Sequence, residues 1–358
     1  MHGFQSGTSG RSRRTFLATL AAVGMNAVAT GRLNAQTPLK QGLIDLHHHF
    51  LPAFLPGMRD YVMAAWRVAG RQQDLPSILS DWSPQNSLAE MNKNGVATSI
   101  LSFPNPAISA DKAQSARTLA RRINDYGAQL VREHPGRFGL FASLPLPDTE
   151  GSLNEISYAF DVLKADGIGL MSSYGDKWPG DPVFAPVLEE LNRRKAVVYL
   201  HPFMPSCCRD LIPGVPFLLA ELVHHTTRAI TSLLFSGVLT RCREIRFIFA
   251  HAGGTVPMLA DRISYYSAQM KDLADKTPNG VGYELKRLYY DVASSANPAA
   301  MAALTKLVDT SYILFGSDYP AVHIAYTAEG ITHLGLSAAD LQAIRRDNAM
   351  TLLPRLRA

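Results

Sequence analysis

The stretch Ile44-Asp45-Leu46-His47-His48-His49-Phe50 starts apolar and ends in three histidines. Read as a strand, its side chains alternate between faces. His47 and His49 then point one way together with Asp45, and His48 points the other way and packs outside. Two imidazoles two residues apart on one strand face can grip a single metal ion. Taken alone, such a cluster reads equally well as a solvated or capping group. Three later apolar runs change the balance, because each ends in a group of the same chemical kind. Ala196-Val197-Val198-Tyr199-Leu200 ends in His201, Arg246-Phe247-Ile248-Phe249-Ala250 in His251, and Leu314-Phe315-Gly316-Ser317 in Asp318. If one architecture brings these ends to one mouth, three or four nitrogens and a carboxylate surround one ion. A buried metal beside a histidine of near-neutral pKa is equipped for proton transfer or for activating water.

The architecture has to supply that mouth. Short apolar runs recur at Leu43–Phe50, Thr98–Phe103, Phe138–Leu144, Gly167–Ser173, Ala196–His201, Arg246–His251, Leu288–Ala293 and Tyr312–Asp318. Stretches of helical period lie between them, from Pro84–Asn94 through His225–Arg241 and Val256–Leu273 to Ala338–Leu353. This alternation predicts parallel β/α units. Eight of them close into a (β/α)8 TIM barrel, an α/β fold in which active sites sit at the C-terminal ends of the strands. The alternative is a doubly wound open sheet, but no G-x-G-x-x-G turn follows the first run. The connection Leu51–Ser83 is long, carries Phe54, Tyr61, Trp66 and Arg59, and reads as a lid over the rim. A second rim loop, Ser172–Asp181, contains Trp178.

The 358 residues carry 35 Lys and Arg against 30 Asp and Glu. Four arginines, Arg11, Arg13, Arg14 and Arg32, fall in residues 1–35, which hold no acid, leaving 31 against 30 in the remainder. The excess charge is thus a property of the N-terminus and makes no case for nucleic-acid or membrane-surface binding. Ser12-Arg13-Arg14-Thr15-Phe16-Leu17 resembles the twin-arginine export motif. The apolar run after it is too short for a stable membrane span. Residues 1–35 are therefore read as a signal peptide directing export to the periplasm or beyond, and residues 36–358 as one catalytic domain. Three cysteines make no disulfide framework; Cys207 and Cys208 are adjacent, so a bridge between them would be strained.

The motifs Asp45-Leu46-His47-His48-His49, Leu200-His201-Pro202, Phe249-Ala250-His251-Ala252-Gly253-Gly254 and Gly316-Ser317-Asp318-Tyr319-Pro320 together resemble the amidohydrolase superfamily. The resembling branch includes aminocarboxymuconate-semialdehyde decarboxylase and the aromatic acid decarboxylases. Gly169-Leu170-Met171-Ser172-Ser173-Tyr174-Gly175 is most similar to the 6-methylsalicylate decarboxylase group. The resemblance implies one divalent metal held by His47, His49, His201 and Asp318, with His251 unligated beside a metal-bound water or the substrate. Such a donor set suits zinc, with manganese as the alternative. The implied reaction is loss of carbon dioxide from a small aromatic or unsaturated carboxylic acid, with His251 or Asp318 delivering the proton. The alternative is hydrolysis of a lactone, ester or amide by metal-bound hydroxide. Arg59, Trp178 and Arg262 are candidates for contacting the substrate, and the resemblance further implies a homo-oligomer. The segment His225-Thr226-Thr227-Arg228 departs from the pattern, which often has an acid at its first position.

Overall fold

The computed structural model describes residues 42–55, 82–104, 113–203, 208, 211–213, 215 and 217–357. Eight strands form one sheet in chain order: β1 Leu43–His49, β2 Val96–Ser102, β3 Phe138–Ser143, β4 Gly167–Met171, β5 Val197–His201, β6 Arg246–Phe249, β7 Tyr289–Asp291 and β8 Ile313–Leu314. Every neighbouring pair is parallel. The sheet rolls up because the segment after β8 lies against β1. Leu46 N donates to Phe315 O (3.0 Å), Asp318 N to His47 O (2.8 Å) and His49 N to Tyr319 O (2.7 Å). This is the TIM-barrel fold expected from the alternating pattern.

The helices return the chain from the rim to the opposite end. They are α1 Pro84–Lys93, α2 Ala113–Glu133, α3 Thr149–Ser157, α4 Ala185–Arg193, α5 Glu221–Phe235, α6 Val238–Arg241, α7 Val256–Ser267, α8 Lys271–Ala274, α9 Val281–Leu285, α10 Pro298–Leu307, α11 Ile324–Gly330, α12 Ala338–Gln342 and α13 Asn348–Leu352. Local chemistry starts several of them. Ser83, Asp148 and Asn297 each accept a backbone N–H in the first turn of α1, α3 and α10, and α1 and α10 begin on proline. The expected long helix over His225–Arg241 divides because Gly237 turns left-handed (φ 74°) between α5 and α6. The expected single helix over Ala338–Leu353 includes a wider π-type turn at Ala343–Asp347. Neither α9 nor α11 was expected, since each is little more than a turn or two.

Alternation along the strands sorts the core into two shells. Ile44, Leu46, Ile100, Phe141, Tyr199 and Leu314 fill the barrel, with Leu352 and Leu353 packed against its N-terminal end. Residues of opposite parity, such as Leu43, Leu101, Phe247 and Phe249, face the helices. Strand β1 breaks its own alternation. Asp45 pairs with Ser99 and His48 with Leu101, three steps on β1 against two on β2, which is a β-bulge. The extra residue flips the parity, so Leu46 and His47 both belong to the interior. Asp45 therefore does not share the face of His47 and His49, contrary to the period-two reading. It faces the seam, where its carboxylate receives His48 Nδ1 (3.0 Å), Ser317 Oγ (2.6 Å) and Ser317 N (2.9 Å). His48 packs outside as expected, on Ser87 Oγ of α1 (2.8 Å) and the Tyr319 ring.

Cys208 is disulfide-bonded and Cys242 is a free buried thiol. Among the described residues no helix is long and apolar enough to cross a membrane. Residues 1–35, with the export motif, lie outside the described residues.

Candidate metal centre

Strand β1 delivers His47 and His49, β5 ends in His201, and the turn after β8 delivers Asp318. One ligand atom from each lies within 4.8 Å of all the others, and all four residues are buried. His47 Nε2 and His49 Nε2 are 3.1 Å apart, and each is 3.1 Å from Asp318 Oδ1. Tetrahedral ligands 2.0–2.1 Å from zinc are separated by about 3.3 Å, so the spacing matches a shared ion. His201 Nε2 stands 4.0 Å from Asp318 Oδ1. It is buried and has no hydrogen-bond partner among the described residues, which is the condition of a lone pair awaiting a cation.

Neighbouring groups aim the ligands. Asp291 Oδ2, at the end of β7, lies 3.1 Å from His47 Nδ1 and accepts from the Tyr199 hydroxyl (3.2 Å). Ser102, at the end of β2, meets His49 Nδ1 through its hydroxyl (3.1 Å) and carbonyl (3.3 Å). A proton held on Nδ1 leaves each Nε2 free for a metal. Asp318 adopts φ 67°, a conformation uncommon outside glycine; its N–H bond to His47 O holds it there.

His251 takes a different role. Its Nδ1 is 3.0 Å from Ala293 O and its backbone N–H donates to Asp291 Oδ1 (3.2 Å). Its Nε2 has no partner among the described residues and stands 3.9 Å from Asp318 Oδ2. The loop that presents it runs left-handed for four residues, with φ 57°, 56°, 72° and 67° from His251 to Gly254. Such strain persists only where the surroundings over-determine it.

The charges point the same way. Asp291 and Asp318 are two buried carboxylates within one cluster. Burial opposes a charge on His47, but the two carboxylates outweigh it and pull its pKa up to about 10. Burial also opposes the charge on Asp318, and His47 and His49 hold its carboxyl well below the usual range. Burial and the neighbouring imidazoles keep His49 and His201 neutral, as ligands must be. Two negative charges call for a divalent cation, and neutral imidazoles with one carboxylate are the donors such an ion takes. His47, His49, His201 and Asp318 form a single divalent-metal site.

The other sequence candidates fare differently. Trp178 is half-buried, its ring tilted 54° against that of His225 at 4.9 Å. Arg262 is exposed, with its guanidinium 4.8 Å from the Tyr266 ring. Among the described residues no hydrogen bond or ring contact joins it to the cluster. Arg59 lies outside the described residues. Asp291 and Ser102 were not singled out from sequence. Asp291 had a signal, a carboxylate closing the apolar run Leu288-Tyr289-Tyr290, the pattern that exposed Asp318. Ser102 had none, because a serine at a strand end is commonplace.

A barrel with this donor set at its C-terminal rim defines a class, and the chain belongs to the amidohydrolase family, whose pattern it matches over residues 44–355. Within that family its relatives are decarboxylases. It is 35% identical over 332 residues to decarboxylase yanB of Aspergillus niger, covering 87% of each chain. It is 33% identical over 334 residues to the 6-methylsalicylic acid decarboxylase acuB of Aspergillus aculeatus, covering 88% of this chain and 96% of that one. In fold it is similar to the dihydroxybenzoic acid decarboxylase of Polaromonas sp. JS666, crystallised with manganese and 2-nitroresorcinol. That likeness has a TM-score of 0.77 and 24% identity, covering 89% and 98% of the two chains. These relatives favour a metal-dependent decarboxylase over the hydrolase alternative.

Proposed function

We propose that this protein removes carbon dioxide from a small aromatic acid that carries a hydroxyl or oxo group beside its carboxylate. The observation that carries the reading is His251 Nε2, without a partner among the described residues, 3.9 Å from Asp318 Oδ2 and beside four converging ligands. When bound, the divalent ion orients the acid and withdraws charge from its oxygens. The protein's own residues manage the proton. Asp318 or His251, having taken up a proton from the incoming acid, delivers it to the ring carbon that bears the carboxylate. The carbon–carbon bond then breaks, its electron pair returns to the ring, and carbon dioxide departs. Ala293 O and Asp291 hold the His251 ring in place for this transfer, and burial of the cluster keeps bulk water away from the reacting carbon. Trp178 and Arg59 are the residues we propose to contact the acid, the first as an aromatic wall and the second as a cation for the carboxylate. The donor set favours zinc; the Polaromonas relative binds manganese, and elemental analysis of the purified protein distinguishes the two. The Arg13-Arg14 motif supports twin-arginine export to the periplasm, a route that carries proteins already folded.

The test is incubation with a panel of hydroxybenzoates, including 6-methylsalicylate, and of lactones, following carbon dioxide release and ring opening separately. Carbon dioxide from at least one acid, with the lactones untouched, is expected. Rapid lactone opening without carbon dioxide from any acid would overturn the reading.

A further inference from the structure

Helix α5 lies in the connection from β5 to β6, the strands that lead to His201 and His251. Residues two apart on a helix point about 200° from each other, so His225 and Thr227 face opposite flanks. His225 is fully buried and reaches the end of β4, with its Nδ1 3.1 Å from Ser172 Oγ. Burial and nearby Arg228 push its pKa down to about 4, so it is neutral near pH 7. Ser172 in turn clasps the end of β5 from both sides of Pro202. Its N–H donates to His201 O (2.9 Å), and its Oγ accepts from Phe203 N (3.0 Å). Pro202 has no N–H of its own to tie this end down.

Thr227 faces the loop that presents His251. Its hydroxyl accepts from Thr255 N (2.9 Å), meets Thr255 Oγ1 (2.9 Å) and donates to Val223 O (3.1 Å). Two acceptances and one donation use a hydroxyl's full capacity. Gly254 presses directly on α5, where a Cβ would collide with the Val223 carbonyl oxygen. One helix thus holds the ligand His201 with one arm and the strained loop of the free His251 with the other. The two rings stand 5.9 Å apart, centroid to centroid.

We propose that α5 is a two-armed brace that sets this gap, with His225 positioning His201 through Ser172 and Thr227 positioning His251 through Thr255. The inference rests on the decarboxylase reading only for what the gap does, which is to fit the reacting carbon between metal and proton donor. His225 and Thr227 are positioning residues, and each arm has its own readout.

The experiment compares His225→Ala, His225→Asn, Ser172→Ala and Thr227→Val in the full chain. Zinc affinity is measured by chelator competition, and hydrogen–deuterium exchange is followed in segments 197–203 and 251–255. His225→Ala and Ser172→Ala are expected to weaken zinc binding about tenfold, in the range for groups that orient ligands, and to speed exchange in 197–203 alone. His225→Asn restores both, because its side-chain oxygen stands in for Nδ1. Thr227→Val keeps zinc affinity, speeds exchange in 251–255 alone and lowers kcat about tenfold with KM unchanged. Uncrossed results, in which both segments loosen together or neither does, overturn the brace. Should His225→Ala fail to fold, Ser172→Ala cuts the same arm. Should the wild type turn over no acid, the decarboxylase reading fails, and the zinc and exchange readouts still decide the brace.

Discussion

Asp291 touches no ion, yet it aims one ligand and anchors another loop. Its two oxygens serve His47, Tyr199, His251 N and Ala293 N at once. Asp291→Asn keeps the shape and removes the charge that holds a proton on His47 Nδ1. Metal affinity should fall by about ten- to a hundredfold, measured by competition with a chelating dye; unchanged affinity would mean that packing alone orients His47. His201 and His251 should separate more sharply. His201→Ala loses both metal and turnover, whereas His251→Ala keeps the metal by elemental analysis and loses turnover. Equal metal loss in the two would show that His251 is a ligand. The ligands were legible in the sequence because a histidine or carboxylate that ends an apolar run stands out against its neighbours. Their supports were less so, because Ser102 and Ser172 are ordinary strand-end serines until another element is laid beside them.

At the scale of elements, β1 shows where pattern reading gives way. Period two holds only while both strands advance in step, and the bulge between Asp45 and His48 breaks that step. Nothing in the residue types announces it, since the bulge is set by pairing with β2. The strand cores were legible, but the ends of β6 and β8 were overdrawn: His251 and Asp318 lie in the turns beyond them, where left-handed backbone re-aims their side chains. Helix α5 carries a pH prediction. His225 has a folded pKa near 4 against an unfolded value near 6.5. As the pH falls, the unfolded chain takes the proton first. The contribution is full above pH 6.5 and lost between there and pH 4, by about 3 kcal/mol in all. Urea midpoints of the wild type should fall across that window faster than those of His225→Asn, which has no proton to gain. Parallel curves would show that the residue does not titrate there.

At the scale of the whole molecule, the barrel is joined by the residues that bind the metal. Asp318 N donates to His47 O while both side chains belong to the same metal site. Chelation should therefore destabilise the entire domain rather than the rim alone. An ion present at a thousand times its Kd contributes about 4 kcal/mol to the folded state. Differential scanning calorimetry should show one transition moving down by several degrees after chelator treatment and returning with zinc. A new early transition, with the main one unmoved, would mean that the metal supports only the rim loops. The eight-unit architecture itself was legible because helical and strand periods alternate along the chain, whereas the backbone bonds that join the segment after β8 to β1 have no residue-type signal.

That joint bears on how the molecule is made. A nascent chain that has emerged from the ribosome only as far as β7 carries all three ligand imidazoles, but β1 is still an open edge. Such an edge invites pairing with other chains. When Gly316 to Tyr319 emerges and lies down on β1, the edge is sealed and the anionic ligand arrives in the same movement. The last donor of the metal site therefore arrives only as the ring closes, and until then the first strand's edge stays exposed to other chains.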